Sequence, residues 1–214
     1  MYSAIIVAAG KGERTGLTTN KVLACINGKP IIRYAVEQFK QDPDCRQIIV
    51  VYRKEDKEDL IKHLNGLVDN FILGGTVRQE SVYNGLLAAH EAYVMIHDGA
   101  RPYLTKTMLF NLKKAMKKYD AATLALPVVD TIKKTHLNVI VDSVERDNLV
   151  AIQTPQAFKK DLIIDAYKKS TKTYTCDASL IQDVLNVSVY TVTGDRKNIK
   201  ITTSDDLELL EMIL

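Results

Sequence analysis

A short segment near the start of the chain combines glycines with cationic side chains. Residues 8–14 read Ala-Ala-Gly-Lys-Gly-Glu-Arg, and Lys21 follows Arg14 after six intervening residues. Glycines let backbone N–H groups approach phosphate oxygens closely, and the cations can neutralise phosphate charge. The buried-strand pattern of residues 4–8 leads directly into this segment. The sequence therefore predicts a loop that binds a polyphosphate.

The glycine spacing argues against two other kinds of phosphate loop. The glycines at positions 10, 12 and 16 miss the dinucleotide pattern G-x-G-x-x-G by one residue, and no acidic residue ends the next strand pattern at residues 47–52. The P-loop pattern G-x-x-x-x-G-K-[ST] is absent as well. A dehydrogenase that binds a dinucleotide is therefore disfavoured. An ordinary strand-to-helix turn explains the glycines alone equally well, but not the two cations beside them.

Polar residues also follow the other predicted strands. Residues 74–82 contain Arg78 and Ser81, residues 97–102 contain Asp98 and Arg101, and Lys200 lies in the segment 194–202. The carboxyl ends of parallel strands meet at one edge of a sheet, so these side chains are expected to converge there.

The types of these residues favour phosphate chemistry. A single carboxylate such as Asp98 is a suitable ligand for Mg²⁺, which binds proteins through one or two carboxylates and takes further oxygens from substrate phosphates. Arg78 and Arg101 can each hold a phosphate through two hydrogen bonds. Ser81 could bind a base or ribose, or could cap the helix that it opens. A cation-rich site with one carboxylate suits phosphoryl or nucleotidyl transfer.

Apolar strand patterns alternate with amphipathic helical patterns along the chain. The strand patterns cover residues 4–8, 48–52, 71–73, 93–97, 121–126 and 187–192. Helical patterns follow Pro30, begin at the candidate N-cap Thr105, and begin again at Ser204. This alternation predicts one α/β domain over residues 1–214, with a Rossmann-like, open and mostly parallel sheet flanked by helices.

Residues 128–150 break the alternation. The segment is rich in β-branched residues, and Leu137-Asn138 is suited to a turn, so we expect a two-stranded β-arm that leaves the sheet. Because an isolated hairpin is marginally stable in water, we expect this arm to pack on a second copy of the chain in a homodimer. The alternative is an arm that folds back onto its own domain.

The composition is that of an ordinary globular protein. The 214 residues are 46% apolar and 26% charged, and a net charge of +3 is too small to indicate binding of nucleic acid. Three scattered cysteines without zinc-binding spacing are typical of a reducing compartment. No apolar run reaches the length of a membrane span, and the first strand pattern starts at residue 4. We therefore expect a cytoplasmic protein that binds neither membrane nor nucleic acid.

Nine short motifs stand in order along the whole chain. They are Ala-Ala-Gly-x-Gly-x-Arg at 8–14, Asn-Lys at 20–21, Gly-Gly-x-x-Arg-x-x-Ser-Val at 74–82, His-Asp-Gly-Ala-Arg-Pro at 97–102, Asp-Thr-Ile-Lys at 130–133, Glu-Arg at 145–146, Gln-Thr-Pro-Gln-x-Phe at 153–158, Asp-Ala-Ser at 177–179 and Asn-Ile-Lys-Ile-Thr at 198–202. Each motif is weak alone. The ordered set resembles the 2-C-methyl-D-erythritol 4-phosphate cytidylyltransferases of the non-mevalonate isoprenoid pathway.

The resemblance implies an activity and a set of site residues. The enzyme would join CTP to the sugar-alcohol phosphate methylerythritol phosphate, release pyrophosphate and use Mg²⁺ held by Asp98. The implied nucleotide-binding residues are Ala8, Ala9, Gly10, Gly12, Gly75, Arg78 and Ser81. The implied catalytic residues, which contact or stabilise the reacting α-phosphate, are Arg14, Lys21 and Lys200. The sugar phosphate would be bound by Arg101 and, from the arm of the neighbouring subunit in a homodimer, by Thr131 and Arg146.

The chain departs from the family pattern at a few positions. Thr15 stands where Met is frequent, Thr76 where an acidic residue is often found, and Cys176 replaces an acid before Asp177. Two other functions stay open beside the implied one. The first is a sibling cytidylyltransferase that uses ribitol 5-phosphate, and the second is a non-catalytic nucleotide-binding module.

Overall fold

The computed structural model describes residues 1–10 and 20–214, so Gly12, Arg14 and Thr15 lie outside the described residues. The described strands are β1 (Tyr2–Val7), β2 (Cys25–Ile26), β3 (Lys29–Pro30), β4 (Cys45–Tyr52), β5 (Asn70–Leu73), β6 (Tyr93–Asp98), β7 (Ala121–Pro127), β8 (Ile132–His136), β9 (Val139–Val144), β10 (Val150–Lys159) and β11 (Tyr190–Thr193). The described α-helices are α1 (Ile31–Gln41), α2 (Lys57–Leu64), α3 (Arg78–Ala88), α4 (Lys106–Met116), α5 (Lys160–Lys169), α6 (Asp177–Leu185) and α7 (Asp205–Ile213).

A single large sheet forms the centre of the described structure. Its strand order is β11-β7-β10-β6-β1-β4-β5, and β10 runs antiparallel to both of its neighbours, β6 and β7. The other pairs are parallel. The prediction of an open, mostly parallel sheet is therefore confirmed.

Several strands differ from their sequence patterns. Strand β4 begins at Cys45, three residues before its pattern, and β2 and β3 were not predicted. The last strand spans Tyr190–Thr193, which begins three residues later than the pattern at residues 187–192. No strand was predicted for β10, because Pro155 and the polar residues around it usually disfavour a central strand. The structure nevertheless buries Gln153, Thr154 and Gln156. The three side chains form hydrogen bonds with the backbone of Asp195, Asp98 and Ala178, so a polar strand can occupy the interior.

Helices cover both faces of the sheet. Residues of α1, α2, α4 and α7 pack in one apolar cluster, and residues of α3, α5 and α6 pack in another on the opposite face. Helix α1 illustrates why the helices form, since Ile31, Ile32, Ala35 and Phe39 recur at helical spacing and are fully buried. Thr105 caps α4, as predicted, by accepting a hydrogen bond from the Met108 N–H at 3.2 Å.

Strands β8 and β9 form a separate two-stranded sheet at the predicted arm. Leu137 and Asn138 both have positive φ angles, of 47° and 65°, which is the backbone of a tight hairpin turn. The apolar side chains of Val139, Ile140 and Val141 are 60–64% exposed. The arm therefore carries apolar surface that its own domain leaves in contact with water. Val150, the last residue of the predicted arm, belongs to β10.

Within residues 1–10 and 20–214, no helix has the length and apolar composition that a membrane span requires.

Candidate active site

A cavity of about 540 Å³ opens at the carboxyl edge of the sheet, beside the ends of β1 and β6. Its described lining comes from the loop after β1, the segment after residue 20, the loop before α3, the end of β6 and the segment at residue 200. The predicted site residues that line it are Ala8, Ala9, Gly10, Lys21, Gly75, Arg78, Ser81, Asp98 and Lys200. The predicted convergence at one sheet edge is therefore observed for these residues, whereas Gly12 and Arg14 lie outside the described residues.

Asn20 fixes the wall of the cavity that bears Lys21. Its side-chain amide donates 2.8 Å hydrogen bonds to the carbonyl of Ala8 and to Asp56 Oδ2, and its Oδ1 accepts from the Val22 N–H at 3.3 Å. A short 3₁₀ helix, Lys21–Leu23, starts directly after it. Asn20 thus joins the loop after β1 to the segment that presents Lys21. Its position as a helix N-cap was the sequence signal for this role, although no role was assigned to it.

Close backbone contact brings the loop after β5 against the loop after β1. The Gly74 N–H donates to the Tyr52 carbonyl at 2.8 Å. A Cβ atom at Gly74 would stand only 2.6 Å from the Ala9 Cβ, so only glycine allows this approach. Ser81 is buried, accepts from the Gly75 N–H and donates to the Val77 carbonyl, both at 3.1 Å. Ser81 therefore ties the loop to α3 while it lines the cavity.

Asp98 lies among three cations. Its carboxylate is 2.8 Å from Lys200 Nζ, 3.5 Å from Arg78 Nε and 4.0 Å from Arg101 Nε. Burial by itself would raise the pKa of Asp98, but Arg78, Lys200 and Arg101 hold it well below its usual range. Asp98 is therefore ionised at neutral pH. Its charge holds together cations that would otherwise repel one another.

Asp177 holds the other side of the Arg78 guanidinium. The two groups form a pair of hydrogen bonds of 2.8 and 3.2 Å, and the Tyr167 hydroxyl also donates to Asp177. Burial would lower the pKa of Arg78, but Asp177 and Asp98 raise it above its usual value. Cys176, which replaces an acid of the family pattern, caps α6 by accepting from the Ser179 N–H at 3.4 Å. The cysteine therefore caps the helix end that presents Asp177.

Buried polar residues of β10 and of the segment after β11 contact Arg101 and the backbone of Asp98. The Asn198 amide donates to the Thr154 carbonyl at 2.9 Å, and the Asn198 carbonyl accepts from Arg101 Nη1 at 2.6 Å. Thr154 Oγ1 accepts from the Asp98 N–H at 3.0 Å and lies 3.1 Å from His97 Nδ1. Thr154 and Asn198 stand in the motifs at 153–158 and 198–202, but sequence reasoning gave them no role.

His97 is a packed residue of β6, and its burial makes it a source of acid sensitivity. The ring is fully buried, and the hydrogen bonds assign the proton to Nε2, which faces the Arg101 carbonyl at 2.9 Å. Burial lowers the pKa of His97 from 6.5 to about 4. Between these two pH values the unfolded chain binds a proton that the native protein does not, so the stability falls as the pH is lowered.

We expect this histidine to contribute a decrease of about 3 kcal/mol in the free energy of unfolding between pH 7 and pH 4. Urea denaturation at a series of pH values measures it. The His97→Gln variant should lose that part of the pH dependence, whereas His136→Gln, on the exposed arm, should keep it. A His97→Gln protein with the wild-type dependence on pH would contradict this explanation.

The arm residues Thr131 and Arg146 stand apart from the cavity. Both are exposed, neither lines the cavity in the described single chain, and Arg146 donates a hydrogen bond to the Val129 carbonyl. Arg101 also lies outside the described lining, but it reaches the site through Asp98 and Asn198. The roles assigned to all of these residues stay predictions.

The described residues contain no cluster of three or more His, Cys, Asp or Glu side chains that could hold a metal ion. Asp98 is nevertheless a carboxylate in the cavity lining and fits a metal that takes its remaining oxygens from phosphates.

An open α/β sheet whose carboxyl edge gathers glycine-containing loops, cations and, among the described lining residues, the single carboxylate of Asp98 is typical of the nucleotide-dependent transferase class. Residues 2–214 match the family model described as 2-C-methyl-D-erythritol 4-phosphate cytidylyltransferase. The chain belongs to this family.

Individual relatives agree over the full length of the chain. The proteins named 2-C-methyl-D-erythritol 4-phosphate cytidylyltransferase of Bacillus mycoides (strain KBAB4) and Shouchella clausii (strain KSM-K16) are 41% and 40% identical. Each alignment covers 100% of this chain, with 98% and 96% of the respective relative.

Solved structures agree as well. The 4-diphosphocytidyl-2C-methyl-D-erythritol synthase of Anaerococcus prevotii superposes with a TM-score of 0.86 at 29% identity, over 99% of this chain and 96% of that one. The cytidylyltransferase of Francisella tularensis gives 0.84 at 28% identity, over 100% and 99%.

Proposed function

We propose that this protein transfers the cytidylyl group of CTP to 2-C-methyl-D-erythritol 4-phosphate, releasing pyrophosphate, as a step in the non-mevalonate synthesis of isoprenoid precursors. The observation that carries the proposal is the convergence of Lys21, Arg78, Asp98 and Lys200 on one cavity, in a chain that belongs to this family. Such a cavity matches the charge of a triphosphate.

The reaction would proceed by in-line attack without a covalent intermediate on the protein. An oxygen of the sugar phosphate forms a bond to the α-phosphorus of CTP. The bond between that phosphorus and the oxygen that bridges it to the β-phosphorus breaks, and its electron pair leaves with pyrophosphate. Negative charge on the oxygens around the α-phosphorus builds up during the attack. Lys21, Lys200 and Arg14 would stabilise that charge, and Arg101 would orient the attacking sugar phosphate.

Asp98 would hold Mg²⁺ together with oxygens of the triphosphate. When bound, the ion would neutralise part of the phosphate charge. The ionised state of Asp98 at neutral pH supports this assignment, because a metal ligand must be deprotonated. The cations around Asp98 would then turn toward the phosphates, which replace the carboxylate as their counterions.

Pyrophosphate release measured with CTP, UTP, ATP and GTP, each combined with methylerythritol phosphate or ribitol 5-phosphate, tests the proposal. We expect release with CTP and methylerythritol phosphate. Release only with ribitol 5-phosphate would identify the sibling cytidylyltransferase instead. Binding of CTP without release in any combination would identify a non-catalytic nucleotide-binding module.

We also propose that two copies of the chain associate through the arm at residues 128–150. The exposed Val139, Ile140 and Val141 support this proposal, since a second copy would remove them from water. Association would also bring Thr131 and Arg146 of each copy toward the sugar-phosphate position of the other. The cytoplasmic location expected from the sequence stays a prediction.

The Ile140→Asp variant tests the association. A carboxylate in the middle of a shared apolar surface would be desolvated without a partner, so we expect the variant to sediment as a monomer and to lose most of its cytidylyltransferase activity. Analytical ultracentrifugation and the pyrophosphate assay measure the two effects. Phe110→Asp is the matched control, because Phe110 is 61% exposed on α4, outside the arm. A wild-type monomer, or an Ile140→Asp dimer, would rule out the proposed association.

A further inference from the structure

Glu80 fastens the loop that carries Gly75, Thr76 and Val77 to the cavity. Glu80 lies in the first turn of α3, and its Oε2 accepts a hydrogen bond from the Thr76 N–H at 2.7 Å and another from the Thr76 hydroxyl at 2.8 Å. The described residues that line the cavity include Gly75, Thr76 and Val77 but not Glu80. The carboxylate therefore acts on the wall of the site from outside it.

The loop is shaped to receive this carboxylate. A Cβ atom at Gly75 would lie 2.5 Å from Glu80 Oε2 and would also collide with the Glu80 Cβ. The missing side chain at Gly75 thus makes room for Glu80 to reach Thr76. The hydrogen bonds from Thr76 lower the pKa of Glu80, so the contact is charged at neutral pH.

A second tie holds the same loop from the buried side. The Ser81 hydroxyl accepts from Gly75 and donates to Val77. Consecutive residues of α3 thus hold consecutive residues of the loop, Ser81 from within the cavity lining and Glu80 from the solvent side. Without Glu80, the N–H and hydroxyl of Thr76 lose their acceptor, and this part of the loop is held by Ser81 and backbone contacts.

Helix capping is the simpler explanation of Glu80, and it predicts a different outcome. Val77 is the N-cap residue of α3 and Glu80 is the third residue of the helix, the position from which a glutamate often bonds back to the N-cap N–H. The hydrogen bonds at 2.7 and 2.8 Å, however, come from Thr76, one residue before the N-cap. The Val77 N–H also lowers the pKa of Glu80, but less than Thr76 does, so the carboxylate faces the N-cap and, through Thr76, also fixes a residue of the cavity wall.

We propose that Glu80 is a positioning residue for the nucleotide, because through Thr76 it holds loop 74–77 in the conformation that receives CTP. The proposal rests on the proposed function for the identity of the nucleotide. It assigns to Glu80 a contribution to CTP affinity and none to the transfer step, because Glu80 acts only through the loop.

The test compares Glu80→Ala, Glu80→Gln and Thr76→Val with the wild-type protein. Steady-state assays give kcat and separate KM values for CTP and the sugar phosphate, calorimetry gives the Kd for CTP alone, and thermal denaturation gives Tm. We expect Glu80→Ala to raise the KM and Kd for CTP by on the order of threefold to tenfold. The kcat and the KM for the sugar phosphate should change by less than about twofold, as expected for loss of uniform binding.

The other two variants distinguish a positioning role of Glu80 from an effect of the lost charge or of lost helix capping. Glu80→Gln keeps an acceptor oxygen and should recover most of the affinity. Thr76→Val keeps the backbone donor and should have a smaller effect than Glu80→Ala. It should add nothing in the double variant, because Glu80→Ala already removes the hydroxyl contact that Thr76→Val removes. Glu58→Ala is the matched control, since Glu58 is also in the first turn of a helix, α2, which packs on the opposite face of the sheet.

Three results would overturn the proposal. One is a Glu80→Ala protein with a lower Tm but an unchanged CTP affinity, which would leave helix capping as the role of Glu80. The second is an equal rise of KM for both substrates, which would indicate general loosening of the site. The third is a Glu58→Ala protein with the same loss of CTP affinity. If the wild-type protein binds CTP but releases no pyrophosphate, the proposed function fails, while the calorimetric Kd values still decide the role of Glu80.

Discussion

Replacing Lys21 by alanine is expected to lower kcat by on the order of 10²–10³-fold. Lys21 lines the cavity, and Asn20 fixes the start of the segment that presents it. In the proposed reaction the Lys21 ammonium group would stabilise charge that grows on the α-phosphate oxygens during attack, and an alanine would supply nothing in its place. The loss should therefore fall on kcat more than on the KM for CTP. Pyrophosphate release at saturating concentrations of both substrates measures it.

Two controls accompany this variant. Lys21→Arg keeps the positive charge with a different shape and should retain more activity than Lys21→Ala. Lys62→Ala removes an exposed lysine of α2 and should leave kcat unchanged. If Lys21→Ala turned over at a rate near that of the wild type, Lys21 would have no part in the transfer step.

The second large effect is expected for Asp98→Asn. The substitution keeps the shape of the side chain but removes its charge from among Arg78, Arg101 and Lys200, and removes the proposed Mg²⁺ ligand. We expect kcat/KM to fall by on the order of 10²–10³-fold, with a higher Mg²⁺ concentration needed for half-maximal activity. Assays over a magnesium titration measure both effects.

The control for charge removal is Asp120→Asn, which breaks an ion pair of 2.6 Å with Lys159 at the surface. This variant should match the wild type in activity and in its magnesium requirement. Thermal denaturation shows whether Asp98→Asn is folded at the assay temperature. An Asp98→Asn protein that is folded and fully active would exclude both the counterion role and the metal role of Asp98.

The part of the fold that follows from local periodicity could be read from the sequence. The burial of Ile31, Ile32 and Phe39, the cap at Thr105 and the turn at Leu137 and Asn138 each depend on residues close in the chain. Strand β10 could not be read in this way. Its polar middle is stable only because partners from distant segments, such as Asn198, satisfy its buried groups.

The candidate site also has a part that the sequence predicts and a part that depends on contacts between distant segments. Asp98 at the end of β6 and Lys200 in the segment after β11 could be predicted to converge, because parallel strands bring their carboxyl ends together. The pairing of Arg78 with Asp177, ninety-nine residues later, depends on how α3 and α6 pack and has no local signal. The same holds for the contact of Arg101 with Asn198, which lies ninety-seven residues away.

Strand β10 begins after the five residues, 145–149, that follow β9, and its Thr154 accepts a hydrogen bond from the Asp98 N–H. A continuous stretch of backbone thus runs from the surface proposed to join two subunits to Thr154, which contacts Asp98 in the cavity lining. A displacement of the arm would be transmitted to Thr154, and through it to Asp98, along the covalent backbone of β10. The proposed association of two copies through the arm would therefore also affect how β10 holds the backbone of Asp98 on the neighbouring strand β6.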